Sequence, residues 1–322
     1  MKKVRTLVLC RLTETEKSRI SRFSDRLEFT FKDIEKVNVT QKDVQEAEII
    51  IGYPPRKYLK EARNLRWLQT LSSGVDRYLS DSILHPEVIV TNARGSYGAA
   101  QSEFMFAMLI SLMKKLHIYR DNQKQNRWHD EGNVMMLKGS TALVIGLGDI
   151  GSRYAKLLKA FGVYVIGVRR DPSKRCEWAD EIHSFINLDT LIGKADIISM
   201  VVPATPETKN LMNSDRIGLM KKGSVFVNTG RGISVDNEAL CDAVESGNIA
   251  GAALDVFDVE PLPPGHRIWK NEKILITPHI AGLEYMEDNW KHTLDLIEDN
   301  LEAFCEGKAM RNVVDRSLFE FL

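Results

Sequence analysis

The sequence has little cysteine and no surplus of charge of either sign. Its four cysteines lie far apart, in no CxxC pair and no metal-ligand spacing, at Cys10, Cys176, Cys241 and Cys305. We therefore expect reduced, structural thiols and no metal centre. Lysine and arginine total 44, as do aspartate and glutamate, so no basic field draws the chain to nucleic acid or to anionic lipid.

Long apolar runs are also missing. The opening "MKKVRTLVLCRL" has a basic pair, but Arg5 and Arg11 bracket an apolar run too short for a signal peptide, so it predicts a β-strand. The most apolar segment, "FMFAMLISLM" at 104–113, has about half the length needed to cross a bilayer and predicts a buried helix. We expect a soluble, cytoplasmic protein that has no membrane partner.

What is present is a large apolar fraction in a regular rhythm. The chain has 322 residues, 43% of them hydrophobic, which suits two domains better than one. Short β-branched runs alternate with polar helical stretches up to about residue 95, and from 140 the rhythm resumes with "ALVIG", "YVIGV", "ADIISMVV", "SVFVNT", "AGAALDV" and "KILITP". Strands that are apolar throughout indicate parallel sheets covered on both faces, and hence an α/β fold.

Two further stretches have helical spacing. One runs from roughly 99 to 125, between the two blocks of strands, and predicts a single long helix at a hinge or an interface. The other follows "TPHIAG" and predicts a terminal helix that packs on one of the domains, with one apolar face formed by Leu294, Ile297, Leu301 and Phe304.

A glycine-rich loop follows the first strand of the second block. In "VIGLGDIG", Gly146, Gly148 and Gly151 match the GxGxxG pattern between a predicted strand and a predicted helix. Gly146 suits the tight turn, Gly148 lets the backbone approach a pyrophosphate, and Gly151 lets the helix pack closely on the strand. The amides at the start of that helix favour phosphate charge. The loop therefore predicts a dinucleotide cofactor.

The end of the next strand indicates which dinucleotide is bound. An acidic residue at this place accepts hydrogen bonds from the ribose of NAD, but after "VYVIGV" the sequence has Arg169 and Arg170. A guanidinium cannot accept from a hydroxyl but binds a 2′-phosphate well. We therefore predict that NADP(H) is preferred and that NAD(H) is possible. Two alternatives stay open: the arginines solvate a strand end, or Asp171 is a displaced ribose acceptor.

Several separate motifs occur in the order found in one family. They are "LSSGVDRY" at 71–78, the glycine loop, "VVPATPETKNLMN" at 201–213, "VNTGRGISVDNEAL" at 227–240, "ALDVFDVEP" at 253–261 and "ITPHIAG" at 276–282. On these motifs the chain resembles the D-isomer-specific 2-hydroxyacid dehydrogenases nearly end to end. The resemblance implies two Rossmann-like domains, a discontinuous substrate domain of residues 1–97 and 286–322 and an inserted NAD(P)-binding domain of residues 98–285. It also implies a homodimer, in which the helix near 99–120 takes part and for which the apolar run at 104–113 is suited.

The resemblance also implies a catalytic set. Arg231 of "TGRG" would hold the substrate carboxylate and keto oxygen, Glu260 of "DVEP" would pair with histidine, and His279 of "TPHIAG" would be the acid and base. An imidazole with a carboxylate behind it suits proton transfer to a reduced keto oxygen, and an arginine suits a carboxylate and a developing oxyanion. Ser73 and Gly74 of "SSGVD" would offer backbone amides to the substrate.

The implied cofactor contacts include Asp255, which would bind the nicotinamide carboxamide. The whole predicted cofactor-binding set is Gly146, Gly148, Asp149, Ile150, Gly151, Arg169, Arg170, Pro203, Thr229 and Asp255. Two members depart from the usual pattern of the family: Arg169 replaces an acidic residue, and Asp149 stands where many members have an arginine beside the pyrophosphate. Glu260 argues against the formate dehydrogenase branch, and at 322 residues we expect no C-terminal regulatory domain.

The sequence thus predicts reduction of a small 2-keto acid to the D-2-hydroxy acid, as in glyoxylate/hydroxypyruvate reductases, with NADPH preferred. Pocket positions are expected near Tyr53, Ser73 and Tyr285. One alternative is an enzyme of the same fold for another acid, of the phosphoglycerate or phosphite type. The other is a cofactor-sensing binding protein like the family's transcriptional corepressors.

Overall fold

The computed structural model describes residues 2–282 and 286–319. The chain forms two compact units, one of Met1–Tyr97 with Glu284–Leu322 and the other of Gly98–Leu283. The second unit is thus inserted into the first, as predicted. Within the described residues, no helix combines the length and the apolar character that a membrane span requires.

Each unit is built from short parallel strands that alternate with helices. The strands are β1 Val4–Leu9, β2 Leu27–Phe31, β3 Ile49–Gly52, β4 Trp67–Gln69, β5 Ile89–Thr91, β6 Thr141–Ile145, β7 Tyr164–Val168, β8 Glu181–His183, β9 Ile197–Met200, β10 Val225–Asn228, β11 Gly251–Leu254 and β12 Ile274–Ile276. The helices are α1 Glu14–Ser21, α2 Gln41–Glu46, α3 Arg56–Leu59, α4 Asp76–Leu79, α5 Gly98–Met113, α6 Leu116–Lys124, α7 Asp149–Ala160, α8 Leu188–Ile192, α9 Ser214–Gly218, α10 Asn237–Glu245 and α11 Glu287–Glu306.

The first unit contains a five-stranded sheet in the order β2-β1-β3-β4-β5, with every pairing parallel. Both faces of its central strands are covered, which is why β3 is buried throughout. The terminal helix α11 covers one face, where Leu294, Ile297 and Leu301 pack in one cluster with Trp67. The predicted apolar face of this helix is therefore the face that enters the core.

The second unit contains a seven-stranded parallel sheet in the order β12-β11-β10-β9-β6-β7-β8. The first strand of the unit, β6, lies between β7 and β9, so the chain leaves it toward one side and returns on the other. This reversal is the place where open α/β sheets bind ligands, at the carboxyl ends of the strands. The predicted α/β class, with its two parallel sheets, is confirmed.

The single long helix predicted over 99–125 is wrong, because the structure divides it into α5 and α6 at Lys115. The backbone of Lys115 is left-handed, with a φ of 55°, and the carbonyl of Met113 accepts the backbone N–H of Met135 at 3.2 Å. The segment around Met135 thus occupies the Met113 carbonyl, which a longer helix would need for a hydrogen bond of its own. The apolar run at 104–113 lies mainly in the unit's own core, as predicted for a buried helix, with Met105, Met108, Leu109 and Leu112 all buried.

Candidate active site

The glycine loop joins β6 to α7 at the reversal in strand order. Gly146 has a φ of +106°, and a Cβ on it would lie 2.5 Å from the carbonyl oxygen of Val201. A Cβ on Gly151 would lie 1.9 Å from the carbonyl oxygen of Gly146. Both positions therefore need glycine for the turn and for the close packing of α7.

The third glycine has a different environment. Apart from Gly148 itself and its two neighbours in the chain, no described residue has an atom within 4 Å of the place where a Cβ on Gly148 would be. Gly148 precedes α7, so this open space lies at the amino end of a helix. Helix amides and open space together fit the pyrophosphate of a dinucleotide. The half-buried Ile150 belongs to the first turn of the same helix.

Asp149 brings a carboxylate to this helix start. Its Oδ1 atom accepts from Nε of Arg153 at 2.8 Å, which partly compensates the negative charge. Its Oδ2 atom is buried and has no hydrogen-bond partner among the described residues. A Cβ on Gly98 would lie 2.0 Å from that atom, so the carboxylate packs directly against the start of α5.

Arg169 and Arg170 follow the last residue of β7. The Arg169 backbone N–H donates to the carbonyl of His183 at 3.0 Å, and its Nη1 donates to the carbonyl of Lys174 at 3.1 Å. Arg170 Nη2 lies 3.4 Å from Glu207 Oε2, and both side chains are exposed. Exposed pairs of this kind contribute only about 0–1 kcal/mol, so this pair would yield readily to a phosphate.

Pro203 and Thr229 follow the neighbouring strands β9 and β10. The carbonyl of Pro203 accepts the hydroxyl of Thr208 at 2.6 Å, and the carbonyl of Thr229 accepts Nε2 of Gln101 at 2.8 Å. The Thr229 hydroxyl is buried and has no partner among the described residues. An unpaired buried hydroxyl at the carboxyl end of a strand also fits a cofactor that supplies the missing partner.

Arg231 lies in the turn after β10. Asn228, at the end of that strand, donates from Nδ2 to the carbonyl of Arg231 at 3.1 Å and accepts from the N–H of Gly230 at 3.0 Å. A Cβ on Gly232 would lie 1.8 Å from the backbone carbon of Phe257. The turn is therefore pressed against the segment that follows β11. Sequence reasoning missed Asn228, although a polar residue that ends the apolar strand "VFVN" was a usable signal.

Glu260 and His279 form the central pair of the site. Nδ1 of His279 lies 2.7 Å from Oε2 of Glu260, and Oε1 of Glu260 accepts the N–H of Phe257 at 2.9 Å. The hydrogen bond to Glu260 raises the pKa of His279 above its ordinary value, against the opposing effect of burial. Burial alone would raise the pKa of the Glu260 carboxyl, but the hydrogen bonds from His279 and Phe257 hold it below its ordinary value.

The charge of Arg231 acts on both members of this pair. It lowers the pKa of Glu260 and, in opposition to the carboxylate, lowers that of His279. Arg231, Glu260 and His279 come from loops that follow three adjacent strands, β10, β11 and β12. The structure therefore brings the three predicted catalytic residues together in one unit.

Asp255 organises the loop that carries His279. Its carboxylate, 1% exposed, accepts from Thr277 Oγ1 at 2.6 Å, from the N–H of Ile280 at 2.9 Å and from the N–H of Ala281 at 3.0 Å. His279 itself has a left-handed backbone, with a φ of 54°. The resemblance assigned Asp255 to the cofactor; the structure gives it this loop as its contacts. Thr277 is a further residue that sequence reasoning missed.

Ser73 and Gly74 belong to the first unit, in the loop between β4 and α4. The carbonyl of Ser73 accepts Nδ2 of Asn92 at 2.8 Å, and that of Gly74 accepts the hydroxyl of Ser72 at 2.7 Å. No acceptor among the described residues is recorded for the backbone N–H groups of Ser73 and Gly74. Two such amides in a row suit an anion. Tyr53 is half-buried after β3, whereas Tyr285 lies outside the described residues.

Comparison with known proteins identifies the family of the chain. The family model "D-isomer specific 2-hydroxyacid dehydrogenase, NAD binding domain" matches residues 106–281. The glyoxylate reductase of Aeropyrum pernix is 34% identical over 272 residues, which cover 81% of this chain and 79% of that protein.

Two solved structures are also similar over nearly the whole chain. A D-isomer specific 2-hydroxyacid dehydrogenase family protein from Aeromonas salmonicida superposes with a TM-score of 0.82 at 30% identity, covering 98% of this chain and 100% of the other. A D-isomer specific 2-hydroxyacid dehydrogenase from Xanthobacter autotrophicus, in complex with NADPH and MES, superposes with a TM-score of 0.81 at 27% identity, covering 98% and 99%. The chain therefore belongs to the D-isomer specific 2-hydroxyacid dehydrogenase family and is an NAD(P)-dependent oxidoreductase.

Proposed function

We propose that the protein reduces a small 2-keto acid of the glyoxylate or hydroxypyruvate type to the D-2-hydroxy acid, with NADPH as the preferred reductant. The observation that carries this proposal is the 2.7 Å pair of His279 and Glu260 beside the charge of Arg231. Reduction of a ketone needs a proton donor and a positive charge that stabilises the keto oxygen, and His279 and Arg231 are proposed to provide these two groups.

The nicotinamide cofactor, when bound, supplies the hydride that goes to the keto carbon. The keto oxygen then needs one proton, and His279 holds it on Nε2, because Nδ1 faces Glu260. The raised pKa of His279 keeps the imidazole protonated in the pH range where it must donate. Arg231 holds the substrate carboxylate and stabilises the negative charge that develops on the keto oxygen. In the oxidation direction the neutral imidazole takes the proton back.

The preference for NADPH is proposed from Arg169 and Arg170. These residues occupy the end of β7, where an NAD-specific site has a carboxylate. Among the described residues, the Arg169 guanidinium is held by a backbone carbonyl and that of Arg170 by an exposed ion pair. The solved Xanthobacter autotrophicus relative contains NADPH, which supports the same choice here.

The substrate class is proposed from the relatives and from the site together. The Aeropyrum pernix relative is named a glyoxylate reductase, and the described residues of the site offer one arginine for one carboxylate. Ser73 and Gly74 are proposed to add backbone amides to carboxylate binding. Accordingly, residues 1–97 and 286–322 are proposed as the substrate domain, and residues 98–285 as the NAD(P)-binding domain.

We also propose that the enzyme is a homodimer. Four apolar side chains of the NAD(P)-binding unit are exposed at the start of α6 and in the segment between α6 and β6, and we call them the exposed apolar segment: Leu116, Trp128, Val134 and Met136. Trp128 is fully exposed, at 105%. Exposed apolar side chains that lie within one short stretch of sequence are candidates for a protein interface, and a second copy of the chain is the partner that the family resemblance favours.

The function is tested by following NADPH and NADH oxidation at 340 nm while small 2-keto acids are offered one at a time. The proposal expects turnover of glyoxylate or hydroxypyruvate, with NADPH used better than NADH. His279→Asn should lower turnover by roughly 10²–10⁴-fold while NADPH binding is retained. Turnover that survives this substitution would contradict the role of His279, and NADPH binding without turnover of any acid would contradict the proposed reaction.

A further inference from the structure

The turn that follows the two arginines contains the nearest carboxylate in the sequence, Asp171. Its Oδ1 atom accepts from the N–H of Ser173 at 3.1 Å and from the Ser173 hydroxyl at 2.6 Å. Its Oδ2 atom lies 3.9 Å from Nζ of Lys174. Both carboxylate oxygens of this exposed side chain therefore have their partners within their own turn.

The local sequence explains why this turn is stable. Proline sets the φ that the second residue of a turn needs, and an aspartate at the first position bonds the N–H two residues on. "DPSK" at 171–174 supplies both features, and the N–H of Lys174 returns to the carbonyl of Asp171 at 3.4 Å. The bonds from Ser173 also hold the pKa of Asp171 below its ordinary value, so the group is an anion at neutral pH.

The same turn contacts the arginine that precedes it. Nη1 of Arg169 donates to the carbonyl of Lys174 at 3.1 Å. The turn at 171–174 thus binds the Arg169 guanidinium and also holds the Asp171 carboxylate. Asp171 is the third residue after the end of β7. A free carboxylate at this place would accept from the ribose hydroxyls of NADH and would repel the 2′-phosphate of NADPH.

We infer that Ser173 is a specificity-determining residue: by holding the Asp171 carboxylate inside its turn, it prevents Asp171 from serving NADH and thereby widens the preference for NADPH. This inference rests on the proposed function, in which Arg169 and Arg170 bind the 2′-phosphate. It also resolves the role of Asp171, which is retained within the turn and does not accept from the ribose.

The test measures dissociation constants for NADPH and NADH by nicotinamide fluorescence, without substrate. Ser173→Ala should tighten the binding of NADH and weaken the binding of NADPH. The ratio of the two dissociation constants, which measures the preference for NADPH, should therefore fall about threefold or more. Asp171→Asn should tighten NADPH and leave NADH unchanged, because no carboxylate remains to repel a phosphate. In the double variant the effect of Ser173→Ala should disappear, because there is no carboxylate left to release.

The chain contains a matched control. Ser317 bonds Asp315 with the same two distances, 3.1 Å from its N–H and 2.6 Å from its hydroxyl, in the other unit. Ser317→Ala should leave both dissociation constants unchanged.

Two results would overturn the inference. One is an unchanged preference in Ser173→Ala; the other is an equal effect of Ser173→Ala with and without Asp171→Asn, which would mean that the hydroxyl contacts the phosphate directly. Failure of the proposed cofactor preference gives a different result, because Arg169→Asp would then leave the ratio of the two constants unchanged.

Discussion

The backbone carbonyl of Asp255 accepts the backbone N–H of His279 at 2.8 Å, while the Asp255 carboxylate binds the loop on both sides of that histidine. The left-handed φ of 54° at His279 is uncommon for a residue with a Cβ and persists only where surrounding contacts compensate the strain. Asp255 supplies those contacts from a fully buried position. The orientation of the proposed acid thus depends on a second carboxylate, distinct from Glu260, which contributes most to raising its pKa.

Asp255→Asn should loosen this loop. An amide has one acceptor oxygen, so one of the three donors loses its partner, at a cost of about 1–3 kcal/mol in the free energy of unfolding. Urea denaturation followed by tryptophan fluorescence measures this cost. Asp258→Asn, at an exposed carboxylate three residues on, is the control and should change little; equal stability of the two variants would contradict the role of Asp255.

Glu260→Gln should alter the pH dependence of reduction. The bond to Glu260 is the largest cause that raises the pKa of His279, and the reduction needs the protonated imidazole. Without the carboxylate the imidazole loses its proton at lower pH, so the alkaline limb of kcat/KM for reduction moves to lower pH. Glu272→Gln, at an exposed glutamate of the same unit, should leave the profile in place, and a profile unmoved in Glu260→Gln would refute the coupling.

The same pair should stabilise the fold over a limited pH range. The raised pKa of His279 contributes stability that is fully present below its unfolded value near 6.5 and is lost as the pH rises through the folded value. The lowered pKa of Glu260 contributes stability that is present above its unfolded value near 4.3 and is lost as the pH falls through the folded value. The Tm difference between wild type and Glu260→Gln should therefore be largest near pH 5–6, and a difference independent of pH would exclude an ion-pair origin.

The sequence predicts elements whose stability is local better than those held by distant contacts. The predicted strand "YVIGV" has the bounds Tyr164–Val168 in the structure. It could be predicted because a short apolar, β-branched run is typical of a buried strand. The sequence analysis did not identify the short strand β4. Its Gln69 is buried and accepts hydrogen bonds from Thr91 and Asn300, and these distant partners leave no periodic pattern in the sequence. β8 was missed because Glu181 and His183 give it a polar sequence, although the two side chains bond each other at 2.8 Å.

The candidate site shows the same division. Gly146 and Gly151 were predicted because a turn and a close helix contact have a fixed spacing in sequence. The hydrogen bonds between the Asp255 carboxylate and the His279 loop were not predicted, since its partners Thr277, Ile280 and Ala281 lie 22 to 26 residues away in sequence. Contacts of that range follow from the order of the strands, which composition and spacing do not determine.

Arg169→Asp should reverse the cofactor preference. Loss of one charge-assisted bond costs about 1.5–3 kcal/mol, so NADPH affinity should fall about tenfold or more, whereas the new carboxylate can accept from the ribose of NADH. The ratio of kcat/KM with the two cofactors measures the change. Lys222→Asp, at an exposed residue before the amino end of β10 and therefore away from the carboxyl ends of the strands, makes the same change of charge and should not alter the ratio. A ratio unchanged in Arg169→Asp would mean that the arginines only solvate the strand end.

The exposed apolar segment should hold the proposed dimer together. Trp128→Glu combined with Met136→Glu would place two charges in an apolar contact, and burial of unpaired charges is far more costly than an apolar interface can repay. Sedimentation velocity should therefore give a dimer for the wild type and a monomer for the double variant. Ile186→Glu is the control, because Ile186 is 88% exposed and lies outside that segment, so the dimer should persist. A wild-type monomer, or a double variant that still dimerises at the same concentration, would show that these side chains do not form the contact between two copies.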